Sequence, residues 1–246
     1  MPNPCLIALW ELFVMREIEI KVGSSSLVEN GQINHAAISH VSRQARLIVE
    51  SGGRVAITTS GFAAAGGGRS EQDYRKGEEL LADAWHEHLG TRAGSLQLVS
   101  QMTLAEVVVG MRSEQNEGRI PLNNGHWGDS YFANNDRLSV ETAQLLGLGR
   151  VVLLGDQEFV YEDINDSSTA IKRIDSGELD ECRKYIRVAS VLGTGGMEAK
   201  FDAVQDAVSY GITCHYGHWR TDIDTLLVGQ AGTTFVADIQ EARITQ

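Results

Sequence analysis

The chain has 246 residues, 42% of them hydrophobic and 22% charged, with 33 acidic and 21 basic groups giving a formal charge of −12. That length can bury one substantial core, and the acidic balance excludes a surface built to neutralise nucleic-acid or anionic-membrane phosphates, while leaving room for a small anionic ligand in a local positive pocket. Cys5, Cys182 and Cys214 are odd in number, widely spaced and free of any CxxC, which disfavours a disulfide framework or thiolate metal site and fits a reducing cytoplasm.

The opening CLIALWELFVM is apolar but short, lacks a basic flank and carries Glu11. It is expected to be neither a signal peptide nor a membrane span. Residues 1–15 therefore read as an N-terminal extension, with Met15 as an alternative start. REIEIKV (16–22) alternates as a strand and runs into GSSSL. From His35 to Glu50, residues Ile38, Val41, Ala45, Ile48 and Val49 recur at helical spacing. RVAITT (54–59) is a β-branched strand followed by SGFAAAGGG, and 75–110 reads as mostly helical, including the stripe in LQLVSQMTLAEVVVG. IPLNNGHWGDSYFANNDRL (120–138) differs from its neighbours in being polar, aromatic and glycine-bearing. LSVETAQLLGLG (138–149) predicts a helix ending in glycine, and RVVLLGD (150–156) an apolar strand of the kind buried in a parallel sheet. QEFVYEDINDSSTAIKRI accommodates a short hairpin, and SGELDECRKYIRVAS a helix. A further helix opens at VLGTGGMEAK and continues through FDAVQDAVSYG; GITCHYGH resumes a strand, and short elements follow at DTLLVG and GTTFVAD. Strands alternate with helices throughout, so 16–246 is expected to be one α/β domain with its loops at strand C-termini.

Lysine is scarce, the five being Lys21, Lys76, Lys172, Lys184 and Lys200. In VLGTGGMEAK, glycines free backbone N–H groups to converge at a helix N-terminus, Thr194 offers a hydroxyl, and Lys200 lies on the first turns. Such a turn can hold phosphate, or it can cap a helix that carries a solvated lysine. Lys21 ends an apolar strand just before Gly23 and three serines, an awkward structural choice unless it meets an anion. Two lysines from distant parts of the chain can flank a transferring phosphoryl group, with Asp136 and Asp156 holding the amines or receiving Mg²⁺. Asn123, Asn124, Asn134 and Asn135 either bind carboxylate or amine groups or simply cap and turn, and Ser60–Gly61 offers a backbone donor. The histidine pairs His86/His88 and His215/His218 lack an HExxH context and read as surface or hydrogen-bonded residues, so no metal-ligating set is expected.

The succession IKVGSSSL, ITTSGFAAAG, NNDRLS, VVLLGDQEFVY and LGTGGMEAK resembles the motifs of the amino acid kinase superfamily, and within it most resembles the glutamate 5-kinase group, over roughly residues 17–236. The resemblance implies a three-layer αβα sandwich around an open, mainly parallel sheet. It also implies transfer of the ATP γ-phosphoryl, with Mg²⁺, to a small acid, glutamate first among them, as in proline biosynthesis; the alternatives are a kinase of another small acid and a non-catalytic nucleotide-binding or storage protein on this fold. By position, Lys21 and Lys200 resemble the two charge-stabilising lysines and Asp136 the aspartate that organises them. Gly23, Ser24, Gly155, Asp156 and the run Thr194, Gly195, Gly196, Met197 and Lys200 resemble nucleotide-binding segments. Ser60, Gly61 and the four asparagines Asn123, Asn124, Asn134 and Asn135 are assigned to the acceptor. Departures concentrate on the acceptor side, where NNGHWGD stands for an NEND-like stretch and ANNDRLS for GDNDxLS. The implied partners are ATP, a small anionic metabolite and further copies of the chain as a homo-dimer or homo-tetramer.

Overall fold

The computed structural model describes residues 16–99, 102–125, 134–190 and 196–237; the N-terminal extension expected over 1–15 lies outside them. Its centre is an eight-stranded sheet. In chain order the strands are β1 (Glu17–Val22), β2 (Arg54–Thr58), β3 (Ala93–Leu98), β4 (Ile120–Asn124), β5 (Arg150–Gly155), β6 (Arg173–Asp175), β7 (Thr213–His218) and β8 (Thr233–Val236). Across the sheet they run β6-β8-β7-β5-β1-β2-β4-β3. Neighbours from β7 through β3 are parallel; β8 runs antiparallel to β7, and β6 parallel to β8. The chain builds outward from β1 through β2 to β4 and β3, then returns to add β5 on β1's other side. The strand order thus reverses beside β1, where open α/β sheets leave a crevice at the strands' C-terminal ends.

Both faces are covered. Helices α2 (His35–Glu50), α4 (Glu71–Leu89) and α9 (Ile223–Leu227) pack on one face through Ile38, Val41, Leu81, Trp85 and Ile223 against Ile18, Ile20 and Ile57. On the other face lie α5 (Leu104–Asn116), α6 (Asn135–Leu146), α7 (Leu179–Ser190) and α8 (Gly196–Ser209), where Met111, Val140, Ala143, Phe201 and Val204 meet Val151, Leu153 and Tyr216. Two short helices, α1 (Ser24–Leu27) and α3 (Phe62–Gly66), follow β1 and β2. This is the expected three-layer α/β sandwich with a mainly parallel sheet. Helix starts follow local chemistry: Asn34 accepts from Ala37 N at 3.2 Å, and Ser70/Asp73 and Thr103/Glu106 form reciprocal capping boxes. The hairpin expected between 157 and 174 pairs Val160–Tyr161 with Ala170–Ile171.

Two expectations need correcting. Ala93–Leu98, read as part of a helical stripe, is the edge strand β3, because Gly94 lets it approach β4 to a distance no side chain would allow. Ile120–Asn124, at the head of the polar stretch, is the buried strand β4. Pro121 is tolerated there because the β3–β4 register breaks between Ala93 and Leu96, beside the position where a proline has no N–H to give.

The α3–α4 contact that shapes the loop after β2 is backbone against backbone: a Cβ on Gly77 would stand 1.8 Å from the Phe62 carbonyl oxygen. Gly77→Ala must push these helices apart and is expected to cost about 2 kcal/mol or more, roughly 4–8 °C in melting temperature. Gly177→Ala, which meets nothing within 4 Å, serves as the control. Equal melting temperatures for the two variants would refute the account.

Candidate active site

Lys21 is the fifth residue of β1 and points to the face covered by α5, α6 and α8, since its strand partners Leu153 and Thr58 share that side. It is 4% exposed. Its ammonium lies 2.6 Å from Asp136 Oδ1, and Lys200 Nζ reaches to 3.9 Å of Asp136 Oδ2. One carboxylate therefore lies between two amines that are 179 residues apart in the chain, Lys21 and Lys200. Burial holds the Lys21 ammonium below its ordinary range; the Asp136 charge opposes that shift and the Lys200 charge adds to it. The arrangement leaves net positive charge at the C-terminal ends of β1 and β5, where a polyanion would be drawn.

Local structure explains why Asp136 is there. Asn134 caps α6 by accepting from Asp136 N at 2.9 Å, and Asn135 Oδ1 accepts from Gly125 N at 2.7 Å. Three successive residues thus start the helix, fasten it to the end of β4 and reach the lysine. Around them, Gly23 N donates to Leu154 O at 2.9 Å, laying the β1–α1 turn against β5, with Ser24 exposed beside it. Gly155 ends β5 where an added Cβ would meet the Tyr216 hydroxyl at 3.0 Å, and Asp156 follows it into solvent. Met197 and Lys200 lie on the opening turns of α8, which Gly196 begins; Thr194 and Gly195 lie outside the described residues.

At the end of β2, Gly61 takes φ +91°, a left-handed turn that lets the chain leave β2 for α3 just past the buried Ser60. Ser24, Gly61, Phe62, Arg69, Tyr74 and Asn135 are among the residues lining a cleft of about 530 Å³. Asn123 and Asn124 are placed differently from Asn135. Asn123 is fully buried and donates to Thr142 Oγ1 at 2.8 Å, inside the layer beneath the site. Asn124 donates to Thr59 O at 2.5 Å and accepts from the Tyr74 hydroxyl at 2.7 Å, so its amide braces the cleft wall. A second cavity, about 610 Å³, opens among Arg16, Leu47, Ser51 and Asp224, at the N-terminal ends of β1 and β2 and far from the lysines.

Comparison with known proteins agrees with this geometry. Residues 98–216 match the family model described as the amino acid kinase family. That stretch is just under half of the chain. It is 27% identical over 240 residues to a glutamate 5-kinase of Alkaliphilus oremlandii (strain OhILAs), covering 83% of this chain and 89% of that one. It is 26% identical over 262 residues to a glutamate 5-kinase of Clostridium perfringens (strain 13 / Type A), covering 90% and 96%. The fold matches the solved carbamate kinase from Giardia lamblia bound to AMP-PNP with a TM-score of 0.68 at 11% identity, covering 90% of this chain and 98% of that one.

Several residues of the site were not singled out from sequence. Tyr74 shares its proton between Asn124 Oδ1 and Gly125 O, both at 2.7 Å, and burial pushes its hydroxyl up to about 12. Trp85 Nε1 donates to Thr59 Oγ1 at 2.9 Å, tying α4 to the strand-end turn. Glu19 lies two residues before Lys21 on the same face, fully buried, with Oε1 accepting from Thr58 Oγ1 at 2.6 Å and Oε2 without a hydrogen-bond partner among the described residues. Desolvation pushes its carboxyl up to about 8. The signal was present in REIEIKV, where Glu19 shares the lysine's side of an alternating strand.

Because Glu19 binds its proton more tightly folded than unfolded, its protonated form stabilises the fold fully below the ordinary value of 4.5, and that stability is lost as pH rises toward about 8. Between those limits wild type should lose about 1.4 kcal/mol per pH unit relative to Glu19→Gln. Urea unfolding at pH values spread across that window measures the difference. Parallel wild-type and variant curves would refute the assignment.

Proposed function

We propose that the protein is an ATP-dependent small-molecule kinase that phosphorylates a carboxylate to an acyl phosphate, with L-glutamate as the leading acceptor. The observation that carries this reading is the Lys21–Asp136–Lys200 cluster at the strand ends beside the Gly61 cleft. In phosphoryl transfer, charge spreads over the equatorial oxygens of the moving group, and catalysis is chiefly positioning and electrostatic stabilisation. Two ammoniums held by one carboxylate supply that stabilisation without side-chain reorganisation during the reaction. Asp136 keeps both amines in place and limits the penalty of burying Lys21.

An acceptor carboxylate is already ionised and needs no general base. The cleft suits it: Arg69 is exposed at the rim, and Ser24, Gly61 and Asn135 contribute polar lining. Gly23, Ser24, Gly155, Asp156, Met197 and Lys200, with Thr194 to Gly196 before them, are proposed to hold the nucleotide. Mg²⁺ prefers oxygen ligands and keeps several waters, so it fits a site where it arrives on nucleotide phosphates. Both Asp136 oxygens face lysines, which leaves the exposed Asp156 as the carboxylate placed to receive it; the ion would neutralise phosphate charge.

A different small acid is the second reading, favoured by the placement of Asn123 and Asn124. Their amides are engaged within the protein, so recognition falls on fewer side chains than the sequence suggested. Assembly as a homo-dimer or homo-tetramer belongs to the same proposal. Among the described residues no helix is long and apolar enough to cross a membrane.

The test is ADP release with ATP, Mg²⁺ and a panel of small acids headed by glutamate. Lys21→Ala, Lys200→Ala and Asp136→Asn are each expected to lower kcat by about 10²–10³-fold while the protein stays folded by circular dichroism. Turnover with another acid but not with glutamate would replace the acceptor assignment. ATP binding without turnover of any acid, or variants that keep the wild-type rate, would overturn the kinase reading.

A further inference from the structure

Away from the lysines, the start of α2 meets the end of α4. His35, the first residue of α2, places Nδ1 3.2 Å from His88 Nε2 and 4.0 Å from Glu87 Oε2. The three ligand atoms all lie within 4.8 Å of one another, and His35 and Glu87 are exposed. Glu87 and His88 are adjacent on the last turn of α4 and so diverge from the helix axis; His35, inserted from the other helix, draws the set together. The imidazoles meet edge-on, their rings inclined by 63°.

We propose that His35, Glu87 and His88 form a surface site for one zinc-class divalent cation. A hydrogen bond between the imidazoles accounts for two of the three groups and leaves the carboxylate beyond bonding distance. A cation among them accounts for all three. With Zn–N and Zn–O bonds near 2.0–2.1 Å, the edge of a tetrahedral ligand set is about 3.3 Å. The 3.2 Å imidazole pair already matches that edge, and the 4.0 Å pair needs only a side-chain adjustment that an exposed glutamate makes freely.

Two imidazole nitrogens and one carboxylate oxygen suit a borderline transition ion and leave a fourth position for water. They do not suit Mg²⁺, which asks for octahedral oxygen. The site therefore takes a different ion from the one proposed to accompany nucleotide. Its place at the end of α4 gives the ion a structural effect. It pins α2 to the helix that carries Tyr74 and Trp85, the two side chains bracing the cleft. A His₂Glu set read from sequence alone was out of reach, because His35 and His88 are 53 positions apart.

The experiment titrates chelator-treated full-length protein with Co²⁺ and Zn²⁺ in the presence of excess Mg²⁺, following Co²⁺ visible absorption and thermal unfolding. One ion per chain, a tetrahedral-type Co²⁺ spectrum, a raised melting temperature and no competition by Mg²⁺ are expected. His35→Ala, His88→Ala and Glu87→Ala each remove a direct ligand and should weaken binding by at least about 10-fold, the lower bound for disturbing an outer-shell partner. All three positions are at the surface, so apo melting temperatures should match wild type. Failure of Co²⁺ and Zn²⁺ to bind at millimolar concentration would overturn the proposal. So would undiminished binding in all three variants, which would put the ion elsewhere. Neither outcome bears on the kinase reading, because no lysine of the reaction takes part.

Discussion

The buried ion pair between Lys21 and Asp136 is the constraint on which the rest of the structure depends. Both side chains are removed from water on the inner face of a sheet that is covered on both sides. Breaking such a pair by removing one partner leaves an uncompensated buried charge, a penalty of about 3–5 kcal/mol. The pair consequently fixes where α6 begins relative to β1, and everything attached to that helix start inherits the position. Lys200 approaches the second carboxylate oxygen from α8, so three elements converge on one aspartate.

Beneath the pair runs a polar strip that hydrophobic packing alone would not select. Glu19, Lys21, Thr58 and Asn123 lie on one face of three adjacent strands, and each is buried. Thr58 serves Glu19, and Thr142 of α6 serves Asn123. The strip sits next to the apolar layer of Ala56, Val151, Leu153 and Met111, which keeps the local dielectric low. In that setting a charge acts strongly on whatever anion arrives at the strand ends, and an ionised Glu19 would oppose the lysines. Holding Glu19 neutral is thus part of keeping the site positive.

Much of this was legible in the sequence, and the exceptions have physical causes. β2 and β5 declare themselves because central parallel strands need apolar, β-branched runs, and β1 declares itself by its alternation. β3 and β4 do not: one is an edge strand with Gly94, and the other contains Pro121 and two asparagines whose burial is set by tertiary position. Lys21 could be singled out because a lysine ending an apolar strand is unusual, whereas the glycine turn before Lys200 read equally as a helix cap and Asp136 was set apart through the motif resemblance. The REIEIKV alternation reads equally as a strand with one wet face, which hides the burial of Glu19 until helices are laid over both sides. The asparagines were ambiguous for another reason. An amide at a strand end can bind a ligand or brace a loop, and the choice for Asn124 depends on a tyrosine 50 residues away.

The helix start at 134–136 also explains how the charge cluster keeps its geometry. Asn134 accepts from the Asp136 amide in the first turn of α6, Asn135 anchors Gly125, and the Asp136 side chain faces the lysines. Gly125 and Asn134, the described residues on either side of 126–133, are both held by side chains at that helix start. Asp136 keeps its place through Asn134 and Lys21, independently of the sequence between Gly125 and Asn134. Loss of the Asn135 bond would free the entry to α6, and with it the carboxylate that holds both amines. The Lys21–Asp136–Lys200 geometry therefore rests on the start of α6 and its tie to Gly125.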